Sequence, residues 1–294
     1  MSEKPMGSSW FSSLAPSDRA IAVLLFVIAS TFAVRLPAVP AAKPAWLLHT
    51  GIFLAFVAVA AVMTLRPRAS WVAWLRAIAT ISVVMILYST LGPPVFQIIP
   101  WRADRFLAAA DRALFAGHSP AFFFARVGTA GLEFWSFIYG FFVPFLYVSI
   151  FLNCVGRPAE ERGEFLTGFA LTYAIAYLGY LYLPSTGPIE FLPEAAPPAG
   201  GPIHRMILAS VAQTGGNHGA FPSLHVGAAL YLCLFDWRYS LLRGMTYAPI
   251  VVLIAISTLF LQYHYVVDLL TGFAISIFAN RATIVWHQTG AEPA

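Results

Sequence analysis

The feature that most constrains this chain is a series of eight apolar runs, most of them close to the length of a membrane-crossing helix. Such a helix needs about 20 largely apolar residues. The runs cover residues 20–34, 45–65, 71–91, 134–154, 165–183, 223–235, 246–261 and 265–284. The composition agrees, because 10% of the residues are charged whereas soluble domains carry about 25%. We therefore predict an all-α, polytopic membrane bundle of about eight transmembrane helices.

The basic residues between these runs predict an orientation. They are Arg66, Arg68, Arg76, Arg157, Arg162, Arg238, Arg243 and Arg281. With eight crossings they share one side with the N-terminus, and the positive-inside rule makes that side cytoplasmic. The Ala- and Pro-rich composition fits a bacterial plasma membrane, although a Golgi-type membrane would satisfy the same topology. The net charge is +4, but the basic residues lie in short clusters between apolar runs, where membrane topology explains them. We therefore expect no nucleic-acid partner.

The same pattern divides the chain into four parts. Residues 1–19 are predicted to be a cytoplasmic tail, 20–70 a transmembrane hairpin, 71–285 a catalytic six-helix core and 286–294 a second tail. Two long connections then lie outside. Residues 92–133 contain the pattern of an amphipathic helix lying in the membrane interface, and residues 184–222 are rich in Pro, Gly and Ala and predict irregular structure that covers something.

Two motifs carry candidate chemistry. The run Phe221-Pro222-Ser223-Leu224-His225 opens the sixth span, where Ser223 can cap the helix and free N–H groups favour an anion such as phosphate. His264 precedes the last span and lies four residues before Asp268, so on a helix the carboxylate can orient the imidazole. Both motifs fall on the outer side. Asp268 lies within the last span, where an ionisable side chain is costly without a partner, so we interpret it as functional.

These residues resemble a known family. The run from Phe221 to His225, then Ser257-Thr258, then Tyr263-His264-Tyr265-Val266-Val267-Asp268 and Gly272 are similar to the type 2 phosphatidic acid phosphatase superfamily of lipid phosphate phosphatases and phosphotransferases. Within it, the pattern most resembles the aureobasidin-sensitive inositol phosphorylceramide synthases. The resemblance covers residues 71–285, and the first two spans look like an addition to that core.

The resemblance implies a mechanism. His264 would be the nucleophile that attacks phosphorus to form a phosphohistidine, and Asp268 would hold its ring in the reactive tautomer. His225 would protonate the leaving oxygen and later deprotonate the acceptor hydroxyl. Neither a metal nor another cofactor is expected, and the implied partners are a phospholipid and a lipid alcohol. Any partner subunit is left open.

The sequence departs from the phosphatases of that superfamily in its cations. Those enzymes carry a Lys and an Arg before the serine motif and an Arg six residues before the nucleophile, but residues 181–189 contain no basic residue and position 258 is Thr. A phosphate still needs charge-assisted donors. The candidate phosphate ligands, besides Ser223, are Arg102, Arg105, Arg112, His204, Arg205 and His218 on the outer connections, with Arg205 and His218 ranked first.

Three functions remain open at this point. The first is a phosphotransferase that moves a phospho-headgroup, such as phosphoinositol, from a phospholipid to a lipid or polyol alcohol such as ceramide. The second is a phosphatase acting on phosphatidic acid or a polyprenyl diphosphate, with water as the acceptor. A transporter is the remote third. It would have polar residues at the membrane midplane and paired repeats of broken helices, whereas the polar residues here cluster at one surface and the sequence shows no internal repeat.

Overall fold

The computed structural model describes residues 10–67, 69–192, 200–213 and 218–288, and within these ranges all regular structure is helical. Short 3₁₀ helices cover Trp10–Ser13 and Pro40–Ala42. The α-helices are α1 (Pro16–Arg35), α2 (Lys43–Leu65), α3 (Ser70–Thr90), α4 (Gly92–Ile98), α5 (Asp104–Leu114), α6 (Pro120–Phe124), α7 (Thr129–Val155), α8 (Ala159–Tyr182), α9 (Pro188–Phe191), α10 (Pro202–Gln213), α11 (Leu224–Tyr239), α12 (Leu241–Phe260) and α13 (Val266–Gln288). The predicted all-α class is confirmed.

Seven of the eight predicted spans are helices long and apolar enough to cross a membrane, namely α1, α2, α3, α7, α8, α12 and α13. The remaining span is α11, whose 16 residues are shorter than a typical crossing. It nevertheless lies along α13 over its whole length. The Ser223 N–H donates to the Asp268 carbonyl at 3.1 Å, and Arg238 donates to the Asn280 side chain at 3.2 Å.

The first two helices share the core of the rest of the bundle. Leu24, Ile28 and Phe32 of α1 are almost fully buried in the same apolar cluster as Phe169 and Tyr177 of α8. Helix α1 also begins earlier than predicted, because residues 16–19 of the expected tail form its first turn, with Pro at the start and a buried Asp18. Helix α13 extends three residues past the predicted end of the core.

One end of the bundle is held by buried ion pairs. Asp236 at the end of α11 accepts hydrogen bonds from Arg157 and Arg243, both at 2.6 Å. Glu164 of α8 pairs with Arg238 and accepts a hydrogen bond from Tyr239. These arginines were predicted to be orientation signals, and the structure shows that they also tie helices together. Arg68, another of the predicted signals, lies outside the described residues.

The two long connections meet at the other end of the bundle. The predicted amphipathic helix is α5, but its buried face consists of Asp104, Leu107, Ala108 and Asp111. The prediction of irregular structure for residues 184–222 is wrong over α10. That helix starts where the Glu133 carboxylate accepts the Ile203 and His204 N–H groups at 3.0 and 2.9 Å, a cap supplied from a distant part of the chain.

Candidate active site

The two histidines predicted from the motifs lie in contact. His225 is the second residue of α11, and His264 lies in the turn between α12 and α13. The Nε2 atom of His264 is 3.4 Å from Nδ1 of His225. Because α11 and α13 run side by side from the same end of the bundle, their N-terminal ends bring both rings to one place.

Two groups contact the other nitrogen of His264. Its Nδ1 is 2.7 Å from the Ala220 carbonyl oxygen and 3.4 Å from Oδ2 of Asp268. A carbonyl oxygen only accepts, so Nδ1 carries the hydrogen and Nε2 keeps its lone pair toward His225. The closer partner is therefore a backbone group. Asp268 lies in the first turn of α13 and His264 precedes that helix, so the four-residue spacing brings the carboxylate near the ring although the two residues do not share a helix.

The Asp268 side chain is fully buried. Its Oδ2 accepts the Tyr265 N–H at 2.8 Å, and its Oδ1 has no hydrogen-bond partner among the described residues. Asp268 thus closes the turn that holds His264 as well as approaching the ring.

Burial controls the protonation of His264. It lowers the pKa of the imidazole to about 4, and the hydrogen bond to the Ala220 carbonyl opposes that shift. At neutral pH the ring is therefore uncharged. An uncharged imidazole with a free Nε2 can act as a nucleophile.

Both histidines line a cavity of about 790 Å³. Its walls come from α3, α7, α8 and α10 and from the segments that precede α9, α11 and α13. Tyr139 and Phe142 of α7 pack against the His225 ring with centroids 4.6 Å away. Among the described lining residues none is Lys, Arg, Asp or Glu. The cavity is therefore mainly apolar and aromatic, and three imidazoles are among its polar groups.

The predicted phosphate ligands are placed differently from one another. His218 lines the cavity, and its Nδ1 is buried without a partner among the described residues. Ser223 caps α11 by accepting the Val226 N–H at 3.5 Å and does not line the cavity. Arg102 donates to the carbonyls of Phe96 and Ile99 at the end of α4.

The other candidates lie away from the histidine pair. Arg105 and Arg112 are exposed on α5, and Arg205 is exposed on α10, where it donates to the Gly200 carbonyl at 3.1 Å. His204 is buried with its Nδ1 3.0 Å from the Ser136 hydroxyl. None of these four side chains belongs to the described cavity lining. Asn217, which directly precedes His218 in the sequence, lies outside the described residues.

The sequence analysis missed the residues whose side chains bind the backbone around the two histidines. Asp104 and Asp111 of α5 accept hydrogen bonds from the segment before α9 and from the start of α13. Ser185 accepts the Phe221 N–H at 3.0 Å. The two aspartates are seven residues apart, which places them on one face of a helix and could have indicated a buried polar face. The sequence analysis instead selected the neighbouring Arg105 and Arg112.

Among the described residues there is no group of three or more His, Cys, Asp or Glu side chains arranged to hold a metal ion.

Comparisons with known proteins agree with the motifs. A PA-phosphatase related-family protein of Dictyostelium discoideum is 35% identical over 63 residues, which are 21% of this chain and 11% of that relative. This chain thus matches about a tenth of that relative's length. No solved structure matches the chain significantly. Residues 105–282, well over half of the chain, match the PAP2 superfamily. The chain therefore belongs to the PAP2 superfamily, and this membership supports a membrane enzyme of the lipid phosphatase or phosphotransferase kind.

Proposed function

We propose that this protein is a lipid phosphotransferase of the inositol phosphorylceramide synthase type. It moves a phospho-headgroup from a phospholipid to a lipid or polyol alcohol through a phosphohistidine, without a metal. The observation that carries the proposal is the contact between Nε2 of His264 and Nδ1 of His225, 3.4 Å apart, in a cavity with an uncharged, aromatic lining.

The reaction divides into two displacements. In the first, the Nε2 lone pair of His264 forms a bond to phosphorus and the bond from phosphorus to the donor oxygen breaks. His225, which takes up a proton when the anionic headgroup lies beside it, gives that proton to the donor oxygen. In the second, His225 takes the proton of the acceptor hydroxyl, the new oxygen–phosphorus bond forms and the nitrogen–phosphorus bond breaks. Asp268 and the Ala220 carbonyl keep the hydrogen on Nδ1 throughout.

The charge of the cavity favours a transferase over a phosphatase. A phosphodiester carries one negative charge, whereas a phosphomonoester such as phosphatidic acid carries close to two at neutral pH. Burying an anion is costly unless charged or hydrogen-bonding partners compensate. Because the described lining contains no Lys or Arg, the site suits a diester donor better. The parts of the outer connection that the structure does not describe, residues 193–199 and 214–217, also contain no Lys or Arg in the sequence.

The cavity also suits a lipid. Exposed side chains of α7, including Phe137, Phe141 and Tyr147, belong to its lining, so it opens toward the flank of the bundle as well as its end. An acyl chain can enter from the bilayer while the headgroup reaches the histidines. We place the termini in the cytoplasm and the histidines at the outer face of the membrane, as the arginine pattern favours. The Ala- and Pro-rich composition fits a bacterial plasma membrane.

The test is an assay in lipid nanodiscs. Purified protein is incubated with labelled ceramide plus phosphatidylinositol, and separately with phosphatidic acid, beside the His264→Ala variant. Phosphorylated ceramide formed by the wild type alone supports the transferase. Phosphate release from phosphatidic acid without transfer would replace it with the phosphatase. Activity that survives in His264→Ala would overturn the mechanism.

A further inference from the structure

Helix α5 places two carboxylates on one buried face. Asp104 and Asp111 are seven residues apart, close to two helical turns, and their residues are 2% and 4% exposed. Leu107 and Ala108 between them pack against Tyr265. Within the described part of the chain, neither carboxylate forms an ion pair. Buried carboxylates are costly unless hydrogen bonds satisfy them, so their partners indicate what they do.

Asp111 binds the start of α13. Its two oxygens accept the N–H groups of Val266 and Val267, each at 2.9 Å. Asp268 accepts the N–H of Tyr265 at 2.8 Å. The N–H groups at the start of a helix have no partner within it. Here they donate to two carboxylates, that of Asp268 within α13 and that of Asp111 on α5. The backbone that follows directly after His264 is fixed by these bonds.

Asp104 binds the segment that supports the His264 ring. It accepts the N–H groups of Thr186 and Gly187, both at 3.0 Å, and the Tyr265 hydroxyl at 3.2 Å. Ser185 in the same segment accepts the Ala220 N–H through its carbonyl at 3.2 Å. The Ala220 carbonyl in turn accepts the Nδ1 hydrogen of His264 at 2.7 Å.

We propose that Asp104 and Asp111 are positioning residues that together hold His264 with Nε2 directed into the cavity. Both aspartates act on His264 through the backbone. Asp111 does so through the start of α13, and Asp104 does so through residues 185–187, whose Ser185 carbonyl accepts the Ala220 N–H. Neither side chain lines the cavity, so neither touches substrate. The proposal rests on the proposed function for its kinetic consequence, but the placement of the ring can be measured independently.

The experiment compares Asp104→Asn and Asp111→Asn with a matched control. The amide keeps the shape, but it replaces one accepting oxygen with a donor that faces a backbone N–H. Asp18→Asn is the control, because Asp18 is 1% exposed and paired with Arg76 at 2.9 Å in another part of the bundle. Two readouts are taken on full-length protein in nanodiscs: kcat and KM of headgroup transfer, and the rate at which diethyl pyrocarbonate labels His264 relative to the exposed His118, by peptide mass spectrometry.

We expect each α5 variant to lower kcat at least tenfold per folded molecule, to leave KM within about threefold, and to slow His264 labelling at least fivefold against His118. Asp18→Asn should leave all three unchanged. Normal kcat and labelling in both α5 variants, or a loss confined to KM, would overturn the proposal. If wild-type protein transfers no headgroup, the proposed function fails, while the labelling still decides the placement of His264.

A milder variant keeps the test decisive if the aspartate variants do not fold. Tyr265→Phe retains the buried ring and removes only the hydroxyl that Asp104 accepts. We expect kcat and His264 labelling to fall twofold to fivefold together. Unchanged values in folded Tyr265→Phe protein would then overturn the role of Asp104.

Discussion

At His264 the hydrogen on Nδ1 is held mainly by a backbone carbonyl from a distant segment. The Ala220 oxygen is 2.7 Å from Nδ1, whereas the nearest Asp268 oxygen is 3.4 Å away. In Ser-His-Asp triads, replacing the aspartate with asparagine costs about 10⁴ in kcat because the imidazole adopts the wrong tautomer. A carbonyl cannot donate, so here it preserves the tautomer when the carboxylate is lost.

We therefore predict that Asp268→Asn lowers kcat by about 10–100-fold, well short of the roughly 10⁴ of a triad aspartate. His264→Ala should abolish turnover. Steady-state kinetics on the two variants, normalised to folded protein, provide the comparison. A loss in Asp268→Asn as complete as that in His264→Ala would show that the carboxylate and not the Ala220 carbonyl controls the ring.

The lowered pKa of His264 predicts the acid limit of activity. Burial lowers it to about 4, so the neutral nucleophile persists well below the ordinary histidine pKa of 6.5. The kcat/KM for headgroup transfer should stay high as the pH falls from 7 and decline only as it approaches 4. An acid limb centred near pH 6.5 would contradict the burial of this ring.

The same shift has a consequence for stability, and its sign is opposite to that of a salt-bridged histidine. The unfolded chain binds a proton at His264 below about pH 6.5, whereas the folded chain does so only near 4. The contribution to folding is therefore complete above pH 6.5 and is lost as the pH falls toward 4.

The sequence predicted that His225, His264 and Asp268 lie together, because their motifs fall on the same side of the predicted membrane, and the structure brings the three side chains together. It could not predict the groups that hold them in place. Ala220 acts through a carbonyl, which every residue type carries, and Asp111 lies 155 positions from the helix it caps. Exposed arginines such as Arg105 and Arg112 carry the charge that phosphate needs, but residue type alone does not show which way a side chain points.

At the scale of elements, α7 forms the long wall of the cavity, and the absence of a side chain at Gly140 lets α10 pack closely against it. A Cβ at this position would lie 3.0 Å from Cδ1 of Ile207, and both residues line the cavity. A leucine here must therefore displace Ile207 or enter the cavity. For Gly140→Leu we predict a fall of at least tenfold in kcat/KM for a long-chain phospholipid, measured per folded molecule.

Gly51→Leu on α2 is the matched control, because a Cβ there meets nothing within 4 Å. Turnover of long-chain and short-chain phospholipids by both variants gives the measurement. Equal kcat/KM in Gly140→Leu and Gly51→Leu would mean that the lipid does not use this cavity.

The length of the apolar runs predicted the long helices well. It did not predict helix bounds where polar residues form the first turns, or a helix as polar as α10. Helix α8 starts at Ala159, six residues before the predicted span, because Arg162 and Glu164 are buried rather than exposed to water. Arg162 donates to the Cys154 carbonyl, and Glu164 pairs with Arg238. Helix α10 follows a Pro- and Gly-rich stretch and depends on Glu133 of α7 for its cap. Such tertiary partners leave no periodic signal in the sequence.

Across the whole molecule, the proposed active site and the buried ion pairs of Asp236 lie at opposite ends of the bundle. His225 lies at the start of α11 and Asp236 near its end, eleven residues or about 16 Å further along the helix. Asp236 is fully buried between Arg157 and Arg243. Removing one partner of a buried ion pair leaves uncompensated charge and costs roughly 3–5 kcal/mol.

Asp236→Asn should therefore lower thermal stability in detergent clearly, while kcat per folded molecule stays within about twofold of wild type. Asp18→Asn, which breaks the separate pair with Arg76, offers a comparison at another buried carboxylate. A large loss of kcat in folded Asp236→Asn would indicate that the two ends are coupled.

The proposed reaction depends on a covalent bond between Nε2 of His264 and phosphorus. The most direct measurement is to mix the protein in nanodiscs with a phospholipid labelled in its phosphate, to quench under alkaline conditions that preserve phosphohistidine, and to map the label by peptide mass spectrometry. We predict label on the His264 peptide in wild type and none in His264→Ala. Label on another residue, or transfer of labelled headgroup with no covalent intermediate at any time, would contradict the account.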